Sequence, residues 1–377
     1  MRVRLACCVA ATLVACVSAV ASAEPMDPAL ERLVLTPACH AKPGQPYGQW
    51  DDDGNPAWND SGNPNLGGGS LPCRPDHGAF KRLVNQFGFA FAPNAMHTAR
   101  TTGYGGFHLA LEADYTSISS DASYWQRGTQ GPVDPSSGAS STINSSPQSL
   151  LQLYSLKFRK GFGFGLELTG VVGFMPKTSI ISGGADLRFS LLEGLRTGVG
   201  GILPDLAVGA GVRTITGTPQ LQLTVAGLDV QISKPLPIRD SQVLTPYLGY
   251  QHLWIFADSG LIDLTPGTDA LSYCNYAGQN QPGNTDPNGS QPDNGQPVCK
   301  GGSPLDFNNN AVFNNARLER HRMIFGVNYR YEMISVGGQF LIDALPPADA
   351  QNDDADSKTL EGEDRQYTIS LELGAMF

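Results

Sequence analysis

The sequence predicts an all-β fold, an antiparallel transmembrane β-barrel of about ten strands, with twelve as the alternative count. Three observations carry this expectation: an export signal at the N-terminus, a period-two alternation recurring through the later part of the chain, and connections whose lengths sort onto opposite strand ends.

Residues 1–23 read as a signal peptide. Arg2 and Arg4 supply a positive start, residues 5–20 an apolar stretch, and Ala21-Ser22-Ala23 a small-residue cleavage site. A competing reading stays open, because Leu13-Val14-Ala15-Cys16 resembles a lipobox whose cysteine would be acylated and would anchor the chain. Beyond the signal no apolar run reaches the roughly 18 residues of a spanning helix. An exported chain can still cross a membrane as a closed barrel, since closure pairs every backbone group.

The alternation is sharpest at the C-terminus, where Tyr367, Ile369, Leu371, Leu373, Ala375 and Phe377 interleave with Thr368, Ser370, Glu372, Gly374 and Met376. One apolar and one mostly polar face fit a strand with lipid outside and a polar interior. The same pattern runs through Phe107–Tyr115, through Tyr154, Leu156 and Phe158, and, after a tight 160–163 turn, from Phe164 to Phe174. Further strands start at Ala185, Leu206 and Leu228, with a bulge expected at Ala226-Gly227. Residues 243–257 are apolar on both faces, which leaves their inward side open. Met323, Phe325, Val327 and Tyr329 form a hairpin with Ile334, Val336, Phe340 and Ile342.

Numbered from Gly103, the odd strands are followed by links 119–149, 175–178, 217–218, 259–315 and 344–364; the even ones by 160–163, 193–203, 235–242 and 330–333. Every long link falls on one side. Long extracellular loops, short periplasmic turns and both termini on the inner side account for that sorting, and a soluble sandwich has no reason to produce it. Residues 24–102 do not alternate; they read as a polar extension, periplasmic or folded into the barrel as a plug, with a short helix near 79–86. Phe87-Gly88-Phe89-Ala90-Phe91-Ala92-Pro93 within them is the candidate for an eleventh strand.

Composition agrees. The chain has 44 Gly, 27 Pro and only 16% charged residues, which suits a β protein with many turns better than a helical core. With 25 Lys+Arg against 35 Asp+Glu it lacks the basic stripe a nucleic-acid partner requires. Cys7, Cys8 and Cys16 lie in the signal; the remaining Cys39, Cys73, Cys274 and Cys299 sit in polar stretches of an exported chain. Disulfides suit an oxidising compartment, and the local pairs Cys39 with Cys73 and Cys274 with Cys299 are the sensible ones among the connectivities open to them.

The inward-facing strand positions are unusually charged: Glu112, Asp114, Lys157, Arg159, Glu167, Asp186, Arg188, Arg213, Asp229, Arg322 and Glu372. They read either as a narrow lumen closed by mutual ion pairs, which a barrel of about ten strands favours, or as a selectivity lining for small polar solutes. His108 faces the same interior near Glu112, with Glu372 or Ser370 as candidate neighbours across the seam; a Ser–His–acid site would need them within hydrogen-bond reach. His252 and His321 show no evident partners. No nucleophile elbow, zinc motif or P-loop is present, so no enzymatic activity, metal or cofactor is expected. Asp51-Asp52-Asp53-Gly54-Asn55, Asp286-Pro287-Asn288-Gly289 and Asp293-Asn294-Gly295 lack the spacing and closing Glu of a calcium loop and read as turn sequence.

The terminal strand, with Tyr367, Ile369, Leu371, Leu373 and Phe377 at alternate places, resembles the signal by which Gram-negative outer-membrane barrels are recognised for insertion. Over about residues 103–377 the chain resembles that superfamily. The resemblance implies an outer-membrane location, with outer-membrane lipid and the barrel-insertion machinery as partners. The polar N-terminal segment, residues 87–93 and Gly103-Tyr104-Gly105-Gly106-Phe107 loosely resemble fatty-acid-transporter-type channels with an N-terminal plug, although those barrels have more strands than this chain supplies. The functional expectation is a narrow or plugged channel for small or hydrophobic solutes. The alternatives are a structural or adhesive surface barrel acting through loops 119–149 and 259–315, and then an outer-membrane hydrolase at His108.

Overall fold

The computed structural model describes residues 24–35, 73–132, 143–193, 203–239, 241–264, 274–276, 297–299, 310–349 and 365–377. The signal peptide, the candidate lipobox, Cys39 and the three Asp/Asn/Gly turn motifs lie outside the described residues.

Alternation along the strands is resolved into a ring. The strands are β1 (Phe107–Ser117), β2 (Leu150–Gly161), β3 (Leu166–Phe174), β4 (Ile181–Leu192), β5 (Asp205–Thr216), β6 (Leu221–Ser233), β7 (Gln242–Ser259), β8 (Ala316–Tyr331), β9 (Ile334–Asp343) and β10 (Tyr367–Met376). Each pairs antiparallel with the next, giving a closed barrel of 10 strands. The seam joins β10 to β1, with His108 opposite Met376 and Thr116 opposite Thr368. Phe107 and Phe377 exchange main-chain hydrogen bonds of 3.0 and 2.8 Å at its lower end. No barrel strand is left with an open edge, the condition for burying a sheet in hydrocarbon.

The order of strands and links matches the sequence expectation, and the count of twelve does not hold. Residues 87–93 are not a strand, because they belong largely to a helix, α1 (His77–Phe91). The alternating Phe87, Phe89 and Phe91 suggested a strand, but Phe80, Leu83, Val84, Phe87 and Phe91 also repeat at helical spacing. The Asp76 side chain accepts from Ala79 N at 2.9 Å and caps the first turn; Pro93 forces Ala92 into an extended conformation and ends the helix. The expected bulge at Ala226-Gly227 is also absent, since β6 keeps a continuous register with both neighbours there. Gly227 instead admits close packing, as a Cβ would stand 3.0 Å from Leu253 Cδ2. The register shift occurs in β4, between Ser190 and Leu192.

The links after odd strands define the extracellular end by their length. Phe377 and the start of β1 lie at the other end, as expected, whereas the path of residues 24–35 places the N-terminal stretch at the extracellular end. Met26 N donates to Lys177 O, Ser179 N to Asp27 Oδ1 and Leu30 N to Gln220 Oε1, all partners in extracellular links. From there α1 descends inside the barrel, and residues 92–106 continue down to the periplasmic start of β1, so the chain threads its own barrel before forming it. Of the two readings of residues 24–102, the contacts agree with the plug; loop parity could not tell them apart, because it speaks only of strand ends.

Candidate functional site

The lumen divides into two chambers of opposite chemistry. In the extracellular half the inward side chains are mostly apolar, with Thr116, Arg213 and Arg320 as buried exceptions. Leu151 and Leu153 of β2, Leu221, Leu223 and Val225 of β6, Leu253 and Ile255 of β7 and Leu318 of β8 are buried around α1. The helix answers with Phe80, Leu83, Val84, Phe87 and Phe91. This core continues upward into a cap. A second short helix, α2 (Ser123–Gly128), sets Trp125 against Phe87 with ring centroids 4.8 Å apart, and Met26, Leu30 and Leu33 close over it. Gln86 is the polar joint between helix and cap, donating to Tyr124 Oη at 2.7 Å and accepting from Trp125 Nε1 at 2.7 Å.

The periplasmic half is ionic. Lys157 pairs with Glu112 at 2.5 Å, Arg159 with Glu372 at 2.5 Å, Arg188 with Asp229 at 3.1 Å and the upper Arg213 with Asp186 at 2.7 Å. The threaded segment is tied into this network. Asn94 donates to Glu112 at 2.6 Å and Asp114 at 2.8 Å and accepts from Lys157 at 2.5 Å. Arg159 donates to Met96 O, Gln231 to Ala95 O, and Thr102 N donates to Glu167 at 2.8 Å. Arg322 reaches the carbonyls of Phe89 and Pro93, taking up main-chain acceptors freed where α1 ends. A cavity of about 70 Å³ opens below these contacts, lined by His97, Thr102, His108, Arg159, Glu167 and Ser335 among others.

Outside, the polarity inverts. Leu109, Leu111, Leu156, Val172, Leu187, Val230, Val327, Val336, Leu371 and Leu373 all turn exposed side chains away from the lumen, forming an apolar belt around the ring. Aromatic rings border it above, with Tyr115 against Tyr154 and Tyr154 against Phe174, and below, with Phe107 against Phe158. An apolar belt between aromatic rows, on a closed antiparallel barrel with long loops at one end only, belongs in hydrocarbon. The protein is an outer-membrane β-barrel.

No family model matches this barrel's chain, and no curated protein matches it. Among solved structures it is similar to the attachment invasion locus protein Ail of Yersinia pestis, at 9% identity and TM-score 0.21 over 73% of this chain and 99% of that one. Similar too are the outer membrane protein OprG of Pseudomonas aeruginosa (10%, TM-score 0.25, 74% and 99% covered) and Omp33 of Acinetobacter baumannii (8%, TM-score 0.24, 74% and 100% covered). At such scores the class of this barrel rests on its own closure and belt.

The charged positions singled out in the sequence all turn inward; Asp186 is half-buried and the rest are buried. Their partners lie partly on the threaded segment, which no strand pattern reveals. Arg320 and Asp343, a fully buried ion pair, were missed although Arg320 continues the inward parity of Arg322 and Asp343 follows directly on the outward Ile342. His108 is buried, but its Nε2 bonds Ser335 Oγ at 2.8 Å and not the expected Ser370 or Glu372. Glu372 is occupied by Arg159, and His108 Nδ1 has no hydrogen-bond partner among the described residues, so the third member of a triad is not in place. The register sets Cys274 opposite Cys299 in a short extracellular ladder, while Cys73 is buried beneath the cap.

Proposed function

We propose that this barrel is closed and acts at the cell surface through its extracellular face, as a structural or adhesive barrel whose working parts are segments 119–149 and 259–315. One observation carries the reading: the apolar core shared by the cap, α1 and the upper strands. Burying each large apolar side chain contributes about 1.5–3 kcal/mol, so withdrawing even four of them from the lumen would cost about 6–12 kcal/mol, more than a routine gating step. The loops are also the variable surface that a rigid barrel presents to partners. The full chain in planar bilayers is then expected to show no steady ion conductance. Replacing residues 133–142 and 265–309 of those segments by short linkers, which leaves α2 and Phe313 in the cap, should abolish adherence of cells to surfaces while the barrel still folds. Steady conductance by the full chain, or adherence unchanged by the loop replacement, would overturn the reading.

A plugged channel for small solutes is the second reading, favoured by the ionic lower chamber and its cavity. It predicts conductance that rises when Arg322→Ala loosens the descending segment.

The cysteines bear on the same extracellular segments. Residues facing each other in an antiparallel ladder have Cα atoms about 4.5–5.5 Å apart, inside the range a disulfide spans. Cys274–Cys299 is proposed as one staple of the large loop and Cys39–Cys73 as a second under the cap. Intact-mass measurement before and after reduction and alkylation tests both; free thiols on the unreduced mature protein would exclude them.

A further inference from the structure

The outward row of β7 and β8 breaks the apolar rule of the belt. Tyr250, Met323, Ile342 and Tyr367 lie in one register row. One outward step beyond it, His252 and His321 stand directly opposite each other, and Glu319 follows two residues along β8 on the same face. Chains of apolar residues elsewhere at this height give no reason for three metal-ligating side chains to converge on the outer wall.

We infer that His252, His321 and Glu319 form a binding site for a divalent transition-metal ion, zinc foremost. One ligand atom from each residue lies within 4.8 Å of the others. Nε2 of His252 is buried, makes no hydrogen bond and stands 3.5 Å from Glu319 Oε2. The two imidazoles are 4.3 Å apart between centroids, and Trp254 stacks on His252 at 4.2 Å, holding that ring in place. Tyr250 Oη bonds Nδ1 of His321, the kind of outer contact that fixes the orientation of a ligating ring. Coordination through Nε2 of His321 requires the tautomer in which Nδ1–H donates to the Tyr250 oxygen.

Donor atoms around a tetrahedral zinc, each about 2.0–2.1 Å from the metal, are about 3.3 Å from one another. Closing the present set therefore needs movements of about 1.5 Å or less at the side-chain tips, within the reach of side-chain rotation on fixed strands. Two imidazoles and one carboxylate suit zinc, copper and nickel better than calcium or magnesium, which take oxygen ligands. Three protein ligands also leave a fourth position for water or for a lipid headgroup oxygen at this border of the belt.

The test is zinc titration by calorimetry into the full chain, without tag histidines, stripped with chelator and folded in detergent micelles. Wild type should bind one equivalent. His252→Ala and His321→Ala should each weaken binding by about a hundredfold or more, and Tyr250→Phe, which keeps the ring and the strand packing, by about tenfold. Copper(II) added alone should show spin-resonance coupling to two imidazole nitrogens in wild type and to one in either single histidine variant. Heat-resistant migration on gels confirms that each variant is folded. Absence of zinc binding by wild type, equal binding by wild type and the His252→Ala/His321→Ala double variant, or an unchanged affinity in Tyr250→Phe would overturn the assignment.

Discussion

Arg320 of β8 and Asp343 of β9 form an ion pair whose side chains are both 0% exposed, at the level where the apolar chamber meets the ionic one. Arg320 also donates to the Asn85 carbonyl and to Gln366, and Gln366 N donates back to Asp343 at 2.9 Å. Helix, two strands and the approach to the closing strand thus meet on one guanidinium.

Breaking that pair from one side should be worse than removing it. Asp343→Ala leaves a buried guanidinium uncompensated and is expected to cost about 3–5 kcal/mol, whereas Arg320→Leu with Asp343→Leu should cost clearly less. Urea unfolding in lipid vesicles, followed by tryptophan fluorescence, gives both values. A double variant as unstable as the sum of the singles would show that the two do not act as a unit.

Gly88 offers a test of sign. Alanine in a helix interior normally stabilises by about 1 kcal/mol relative to glycine. Here a Cβ would stand 2.6 Å from Ile255 Cδ1 and Cγ2, in the packed upper chamber. Gly88→Ala is therefore expected to destabilise by about 1–3 kcal/mol. Combined with Ile255→Ala its penalty should largely disappear, and stability measurements on the four proteins of that cycle would show it. A stabilising Gly88→Ala would mean that α1 does not sit against β7.

Asn94 is neutral among charges. Asn94→Ala removes its bonds to Glu112, Asp114 and Lys157 and should cost about 1–3 kcal/mol. Asn94→Asp should cost more at neutral pH despite its matching shape, because it sets a third carboxylate against the first two. Equal unfolding midpoints for the two variants would place Asn94 away from those carboxylates.

The threaded path predicts which residues a reagent outside the cell can reach. Leu35 is 58% exposed at the extracellular end and Phe164 is 99% exposed in a periplasmic turn. With the native cysteines replaced, Leu35→Cys should react with an impermeant maleimide on intact cells, and Phe164→Cys only after the outer membrane is opened. The reverse pattern would invert the barrel, and protection of both would return residues 24–35 to the periplasm.

The strands were legible because lipid outside imposes a strict alternation that Phe377, Leu373 and Leu371 display without interruption. The upper chamber was not. Residues 243–257 looked apolar on both faces, and the structure supplies the reason: Leu253, Ile255 and Ala257 turn inward onto α1 while Leu248 and Phe256 turn outward to lipid. Two apolar environments on opposite sides of one strand erase the pattern by which either is recognised. The ionic residues were readable one strand at a time, but partners such as Asn94 and Met96 O come from an irregular segment with no period. His252 and His321 were visible, yet their pairing needed the register of β7 on β8.

A polypeptide that emerges at one rim and finishes its final stave at the other must be assembled around its own leading stretch. Hauling residues 24–35, with Asp27, Glu31 and Arg32, up through a finished ring would drag polar groups past Leu253 and Val225, so closure of the β1–β10 seam is expected to come last. The N-terminal stretch is then expected to act as a mandrel during assembly. Removing residues 24–102 should lower the yield of heat-resistant protein in refolding trials and should not yield a wide open pore.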